Sequence, residues 1–167
     1  TAVRKGAILS PTTTSAWWAK GAVYNPTFYL NKKDALWYMF VNCSEWDGGI
    51  ERIGFATSAT LDGIWELSDD PVSPLFVAED SVYYGNVRAA DPDVFELDGY
   101  IIMMYYSVIK FPYIHASDRW AYTTYNEFPY GWKYGGESLS PTKGSYDEKY
   151  AHKPYMIKYN NKLLHYY

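Results

Sequence analysis

The chain lacks several features that would place it in a well-defined class at once. Its 167 residues contain one cysteine, Cys43, so no internal disulfide can form. Its formal net charge is -4, and no cluster of lysine and arginine alternates with aromatic residues, so we expect no nucleic-acid partner. No apolar run is long enough to cross a bilayer, and we expect no membrane partner. Helical periodicity is also nearly absent.

Motifs for common metals and cofactors are missing as well. No spacing of His, Cys and Asp resembles a zinc site, and no Ser-His-Asp arrangement can be placed. The glycines of "DGGIERIG" (residues 47–54) are predicted to lie in a hairpin turn and not in a phosphate-binding loop, because no helix follows them. We therefore expect no metal site and no cofactor.

Aromatic residues, in contrast, make up 20% of the sequence and include 19 tyrosines. Short runs of β-branched and aromatic residues are bounded by Gly, Pro, Asn and Asp, which is the pattern of strands and turns. Tyr and Trp combine a flat apolar face with a polar edge, which suits strand packing and also suits sugar rings. The sequence therefore predicts an all-β fold.

A repeat of about 65 residues organises these strands. Each copy has a Ser-Pro pair, a variable loop, an X-Pro pair that opens a strand, a tight polar turn and a second, aromatic strand. The Ser-Pro pairs are Ser10-Pro11, Ser73-Pro74 and Ser140-Pro141, and the X-Pro pairs are Asn25-Pro26, Asp91-Pro92 and Lys153-Pro154.

Four strands follow each of the first two X-Pro pairs and two follow the third, which predicts a β-propeller of four-stranded antiparallel blades. The chain holds about two and a half blades, half of a five-bladed ring. The blade units are predicted at about 24–76, 90–142 and 152–167, with an outer strand of a preceding blade at 6–10. Such a piece leaves strand edges bare, so we expect either a homo-oligomer, such as a homodimer that closes the ring, or the remainder of a longer chain.

Three segments resemble the five-bladed propeller glycosidases, in particular glycoside hydrolase families 43, 32 and 130. They are "NPTFYL…LWYMFVN", "RIGFATSATLDGIWELSDDPVSP" and "DPDVFELDGYIIMMYYS", and "IGFATSATLDGIW" is the most specific piece. The resemblance covers nearly the whole chain. It implies a glycosidase-like propeller with an oligosaccharide or polysaccharide as partner. We expect a periplasmic or secreted location in preference to a cytoplasmic one.

The resemblance also implies where the site lies. Proline disfavours helix for the residue before it, so each X-Pro pair is expected to aim X from the start of an inner strand into a shared pocket. In families 43 and 32 these positions carry a base or nucleophile, an orienting Asp and a general-acid Glu. Here the first two positions are Asn25 and Asp91. The third is a Glu-X-Pro position in those families, and His152 of "HKP" stands there. Only Asp91 therefore keeps a carboxylate, whereas glycoside hydrolysis normally uses two. His152 could instead be a surface loop residue, and Asn25 and Asp91 could be turn residues.

Family 130 implies a different use of the same region. There Asp91 would bind substrate, Asp93 stands where an arginine is expected, and Arg88 lies close by but outside the motif position. Glu148, which follows Asp147 in "YDEKY", could supply an acid or could belong to a solvated loop.

Four further side chains are candidates for the walls of the pocket. Trp17 and Trp18 could stack on a sugar or fill a gap between blades. Trp46 could belong to the same wall or be an exposed packing residue of a hairpin loop. His115 lies in the link between two strands of the second blade and could overhang the pocket.

Three functions remain as hypotheses. The first is a carbohydrate-active protein of the glycoside hydrolase type, in which Asp91 positions the substrate and His152 or Glu148 supplies the acid. The second is a non-catalytic sugar-binding propeller that lacks the acid/base pair. The third is an interaction module whose strand edges and aromatic residues mediate assembly.

Overall fold

The computed structural model describes residues 6–11, 16–46, 51–69, 88–109 and 115–167. Within these residues a 3-10 helix at Trp17–Ala19 precedes a series of strands, and no helix is long and apolar enough to cross a membrane. The strands are β1 (Ala22–Asn31), β2 (Leu36–Ser44), β3 (Arg52–Ser58), β4 (Glu66–Leu67), β5 (Arg88–Leu97), β6 (Tyr100–Ile109), β7 (His115–Thr124), β8 (Lys133–Leu139), β9 (Tyr155–Tyr159) and β10 (Lys162–Tyr166).

The strands form three antiparallel sheets that follow the order of the sequence. Strands β1–β4 make the first blade, β5–β8 make the second blade, and β9–β10 are the first two strands of a third. This confirms the predicted all-β fold with four-stranded antiparallel blades. The blade limits stay a prediction, because residues 70–76, which include Ser73-Pro74, lie outside the described residues.

The segment at residues 6–10 differs from its prediction as an outer strand. Its backbone has no strand structure, and Gly6–Ile8 lie beside Leu61–Trp65 of the first blade. A strand needs a neighbour for its backbone N–H and C=O groups. No sheet in the described part of the chain pairs with this segment.

The main hydrophobic core lies between the first and second blades. Tyr38, Phe40 and Phe55 face Phe128 and Trp132 across this interface. The ring centroids of Tyr38 and Phe128 are 4.7 Å apart and those of Phe40 and Trp132 are 6.2 Å apart, both edge-on, which is a favourable geometry for aromatic pairs. This packing brings inner strands β1 and β5 into contact with each other.

A second core on the other face of the first blade is centred on Trp18. Its ring is fully buried, and its Nε1 donates to the backbone oxygens of Ser68 and Asp69 at 3.1 and 3.2 Å. The ring lies directly over Gly54, where any Cβ atom would fall 2.0 Å from it. Only glycine fits at this position of β3, so the tryptophan and the glycine form one packing unit.

The second blade carries an open aromatic face on the side away from the first blade. Its residues line a cavity of about 400 Å³. They are Tyr100, Ile102, Trp120, Tyr122, Tyr134 and Gly135. We call this surface the blade-2 aromatic face.

The three X-Pro pairs share one unusual backbone conformation. The residue before each proline has a positive φ: 49° at Asn25, 51° at Asp91 and 68° at Lys153. In β1 and β5 the strand register shifts at this point, which is a β-bulge. Bulges bend a strand and re-aim the side chain, and Asn and Asp tolerate left-handed φ better than most residues. By this geometry Lys153, and not His152, is the counterpart of Asn25 and Asp91.

Candidate functional site

The side chains of Asn25 and Asp91 meet at the junction of the first two inner strands. Asn25 Nδ2 donates to Asp91 Oδ1 at 2.6 Å. Asn42, on the neighbouring strand β2, donates from its Nδ2 to the same oxygen at 2.7 Å and accepts the Asp91 backbone N–H at 2.6 Å. Hydrogen bonds to a carboxylate are among the stronger ones in proteins. The Asp91 carboxylate is therefore held in a fixed direction by the first blade.

A second carboxylate, Glu51, lies just before β3 and joins the same two blades. Tyr24 donates from its hydroxyl to Glu51 Oε1 at 2.5 Å, and Tyr106 donates to Oε2 at 2.9 Å. The Arg88 guanidinium is 3.5 Å from Oε1. The Glu51 side chain is only 15% exposed, so these three groups replace most of its contact with water.

Both phenol groups stay protonated in this cluster. Burial, followed by the hydrogen bond and the charge of Glu51, raises the pKa of Tyr24 far above its ordinary value. Burial and then the charge of Glu51 raise the pKa of Tyr106 in the same way. The charge of Asp91 adds to both shifts, so both carboxylates act on the same two phenols.

A buried Asp-His pair extends the cluster toward the third blade. Asp118 on β7 lies opposite Tyr106 in the strand register, and its Oδ2 is 2.9 Å from His165 Nε2 on β10. Burial, with a smaller contribution from Asp91, raises the pKa of Asp118 to about 7. Burial lowers the pKa of His165. Both shifts favour the uncharged forms of the pair, a carboxylic acid and a neutral imidazole.

His152 is exposed, and its ring borders the same cluster. The ring centroid is 5.6 Å from that of Tyr106 and 6.3 Å from that of Tyr150. His152 precedes the left-handed Lys153, as Tyr24 precedes Asn25. Tyr24 and His152 therefore occupy matching positions in the first and third blades.

Glu148 lies in the loop that leads to the third blade. Its side chain is exposed, and its backbone N–H donates to Ser145 O at 3.2 Å. The adjacent Asp147 is buried instead and accepts the Tyr167 hydroxyl at 3.4 Å. Within the described part of the chain, Glu148 is not in contact with Asp91 or its hydrogen-bond partners.

Asp93 lies between blades and not at their mouth. It is 7% exposed, and its Oδ2 accepts the backbone N–H of Met156 on β9 at 2.7 Å. Thr27 on β1 donates to its other oxygen at 3.5 Å. Burial raises the pKa of Asp93. These hydrogen bonds act to lower the pKa, but burial is the larger effect. Its contacts tie together all three inner strands.

The predicted aromatic walls separate into buried and exposed residues. Trp18 is a core residue, as its contacts with Gly54 show. Trp17 is 43% exposed under the Arg52 guanidinium, 5.6 Å from the ring centroid, and Trp46 is 55% exposed. His115 begins β7, but its side chain lies outside the described part of the structure.

Sequence reasoning missed six residues of this cluster: Tyr24, Asn42, Glu51, Tyr106, Asp118 and His165. One signal was available, because the residue before X-Pro recurs with the repeat and Tyr24 occupies that position. The others come from second and third strands of the blades, which the X-Pro pattern does not mark.

The cluster is rich in hydrogen-bond acceptors and can recognise hydroxyl groups. Asp91 accepts through its carboxylate, and a phenol that donates its only proton to Glu51 still offers lone pairs to a ligand. Arg88 and His152 add donors at the rim. No group of three or more His, Cys, Asp or Glu side chains within the described ranges could hold a metal ion.

Comparison with known proteins bears on the fold. No family model and no curated protein matches the chain. Among solved structures, a glycoside hydrolase superposes with a TM-score of 0.73 and 23% identity, over 97% of this chain and 46% of its own. An endo-arabinase from Bacteroides thetaiotaomicron VPI-5482 superposes with a TM-score of 0.64 and 19% identity, over 99% of this chain and 55% of its own.

A third structure is an endo-arabinanase of glycoside hydrolase family 43 from Bacillus licheniformis. It has a TM-score of 0.57 and 19% identity, over 87% of this chain and 47% of its own. The chain has a propeller glycosidase-like fold. It spans about half the length of the structures it matches, and this confirms the predicted partial propeller.

Proposed function

We propose that the protein is a carbohydrate-active propeller of the glycoside hydrolase type, which binds an oligosaccharide or polysaccharide at the mouth of its inner strands. The observation that carries this proposal is the 2.6 Å bond between Asn25 and Asp91. It joins two successive X-Pro positions of the repeat at one point. The fold, which the solved glycoside hydrolases share, supports the proposal.

Asp91 is the substrate-positioning residue in this proposal. Its fixed carboxylate accepts hydrogen bonds from sugar hydroxyls and stabilises the positive charge that develops on the sugar ring during hydrolysis. His152 is the proposed acid, because it lies beside Tyr106 at the exposed rim of the cluster. Glu148 is the alternative acid on the neighbouring loop. Asn25 orients Asp91 and offers its amide to the ligand.

The alternative function is sugar binding without catalysis. It is favoured by the replacement of carboxylates, since Asn25 and His152 stand at the positions that correspond to the base or nucleophile and to the general acid of families 43 and 32. Asp91 alone does not complete the usual pair. Such a protein would keep the pocket and its affinity for sugars but would turn over no glycoside.

The rest of the ring is also part of the proposal. Two four-stranded blades and the start of a third leave one side of the site open. Either further blades of a longer chain or a second copy would complete the pocket. Light scattering combined with size-exclusion chromatography distinguishes a dimer from a monomer.

A glycan array combined with aryl-glycoside turnover tests the function. The wild type should bind at least one glycan, and Asp91→Asn should abolish or strongly reduce this binding. Asp98→Asn is the matched control, because Asp98 lies in the β5–β6 turn with a φ of 49°, close to that of Asp91. Turnover that is lost in Glu148→Gln would assign the acid to Glu148 instead of His152. Binding without turnover would favour the non-catalytic alternative, and a wild type that binds no glycan would contradict the proposal.

A further inference from the structure

The cluster contains a Tyr-Glu pair at the place where the chain lacks its expected base. Asn25 cannot accept a proton as a carboxylate does, but Tyr24 directly precedes it and donates to Glu51 Oε1 at 2.5 Å. Tyr24 is 36% exposed. Part of the residue is thus open to a ligand, while its hydroxyl proton is already directed at a carboxylate.

We propose that Tyr24 is the nucleophile of the site and that Glu51 is the base that takes its proton. This inference rests on the proposed function, because it requires a glycoside bound next to Asp91. Most glycosidases use a carboxylate as nucleophile, but a tyrosine serves in some of them. An adjacent base within hydrogen-bond distance is what activates such a hydroxyl.

The surroundings of Glu51 suit this role. Arg88 at 3.5 Å and the Tyr106 hydroxyl at 2.9 Å hold the carboxylate in a fixed direction, with Oε1 facing the Tyr24 hydroxyl. Tyr106 also donates to Glu51, but it is less exposed than Tyr24, and its ring lies 5.6 Å from that of His152. The geometry therefore assigns the attack to Tyr24.

The reaction balances with the groups present. Tyr24 Oη forms a bond to the anomeric carbon as its proton passes to Glu51, and the bond from that carbon to the leaving oxygen breaks. Protonated His152 gives its proton to the leaving oxygen. In the second step water attacks the anomeric carbon, neutral His152 takes a proton from this water, and the bond to Tyr24 breaks. Glu51 then returns the proton to Tyr24. Two displacements at one carbon give net retention of configuration.

Covalent trapping tests the assignment without depending on the natural leaving group. The full chain is incubated with 2-deoxy-2-fluoroglycosyl fluorides of arabinofuranose, xylose and galactose, followed by intact-mass and peptide-mass spectrometry. Fluoride leaves without an acid, and the 2-fluoro group slows the second step so that the glycosyl-enzyme accumulates. We expect one adduct, located on Tyr24, and labelling about 100-fold slower in Glu51→Gln, the loss typical for a missing general base.

Two tyrosine variants complete the test. Tyr24→Phe should lose the adduct and still bind the glycans found on the array, whereas Tyr159→Phe, which changes an exposed tyrosine of β9, should keep the adduct. An adduct on Glu51 or Asp91, or glycan binding with no adduct under any probe, would overturn the inference and leave the proposed function intact. Absence of glycan binding in the wild type would instead overturn the proposed function.

Discussion

Asn25 and Asp91 adopt nearly the same left-handed backbone conformation, with φ values of 49° and 51°, and their side chains are joined by a 2.6 Å hydrogen bond. Each lies at a β-bulge in the inner strand of its blade. The repeat in sequence thus becomes a contact in space, because equivalent strands of successive blades lie side by side. The first blade orients the carboxylate that the second blade supplies.

Replacing this amide by a carboxylate should destabilise the protein in a pH-dependent way. In Asn25→Asp the new carboxylate would lie where the Asn25 amide now donates its hydrogen bond to Asp91. Two like charges this close raise the pKa of the pair. A raised folded-state pKa stabilises the fold only at low pH, and this stability is lost as pH rises. We expect a free energy of unfolding about 1–3 kcal/mol below that of the wild type at pH 7, with the difference shrinking toward pH 4.

Urea unfolding at several pH values measures this difference. Asn160→Asp is the matched control, because Asn160 also has a positive φ, 46°, in the exposed β9–β10 turn. A loss of stability in Asn25→Asp that does not depend on pH would refute the proposed contact between the two carboxylates.

The Asp118–His165 pair should make stability fall as pH rises from 5 to 8. Burial raises the pKa of Asp118 to about 7, above an unfolded value of about 3.9, so its stabilising effect is complete below the unfolded pKa and is lost as pH rises through 7. The substituted side chain of Asp118→Asn cannot ionise. From pH 5 to 8 the free energy of unfolding of this variant should therefore fall by on the order of 2 kcal/mol less than that of the wild type.

The lowered pKa of His165 acts in the other direction, since its contribution is lost as pH falls through the folded value. The variant retains His165, so the difference between the two unfolding curves reports Asp118 together with its coupling to His165. Parallel curves for wild type and Asp118→Asn from pH 5 to 8 would show that Asp118 is already ionised in the folded protein.

Asp93 should matter for stability more than for sugar binding. Asp93→Ala leaves the backbone N–H of Met156 without its 2.7 Å acceptor, and an unpaired buried donor costs about 1–3 kcal/mol. Asp93→Asn keeps an acceptor oxygen and should recover most of this loss. Thermal unfolding compares the two variants, and equal melting temperatures for Asp93→Ala and the wild type would contradict the inter-blade role.

Neighbouring tryptophans should differ sharply in their contribution to stability. Trp18→Phe removes a fully buried indole together with its hydrogen bonds to two backbone oxygens, and we expect a loss of about 2–4 kcal/mol. Trp17→Phe changes an exposed ring and should stay within about 0.5 kcal/mol of the wild type. Chemical denaturation measures both, and similar losses in the two variants would contradict the assignment of Trp18 to the core.

The sequence was sufficient to predict the blades and the first contact of the site. Aromatic runs and recurring X-Pro pairs mark β1, β2, β5 and β6 directly, because strands are rich in β-branched and aromatic residues and turns are rich in Gly, Pro, Asn and Asp. The same repeat identified Asn25 and Asp91. The repeat also marks Lys153-Pro154, and Lys153 takes the same left-handed conformation. His152, one residue earlier, was a candidate because of the Glu-X-Pro position that the resemblance implies.

The remaining residues of the cluster depend on packing between blades. Glu51 lies in a stretch that resembles a plain hairpin turn, and its partners Tyr24, Arg88 and Tyr106 are distant in sequence. Their meeting follows from how β3 of one blade lies beside β5 of the next. Asp118 could not be predicted either, since no local sequence pattern marks a buried acid that pairs with a histidine of another blade.

The central claim is that a sugar binds at the junction of the inner strands, and a crystal structure with a bound glycan tests it most directly. The glycan with the strongest array signal is the one to soak. We predict density for a sugar ring with a hydroxyl within hydrogen-bond distance of the Asp91 carboxylate and with His152 at its edge. Density confined to the blade-2 aromatic face, with an empty junction at Asp91, would contradict the claim.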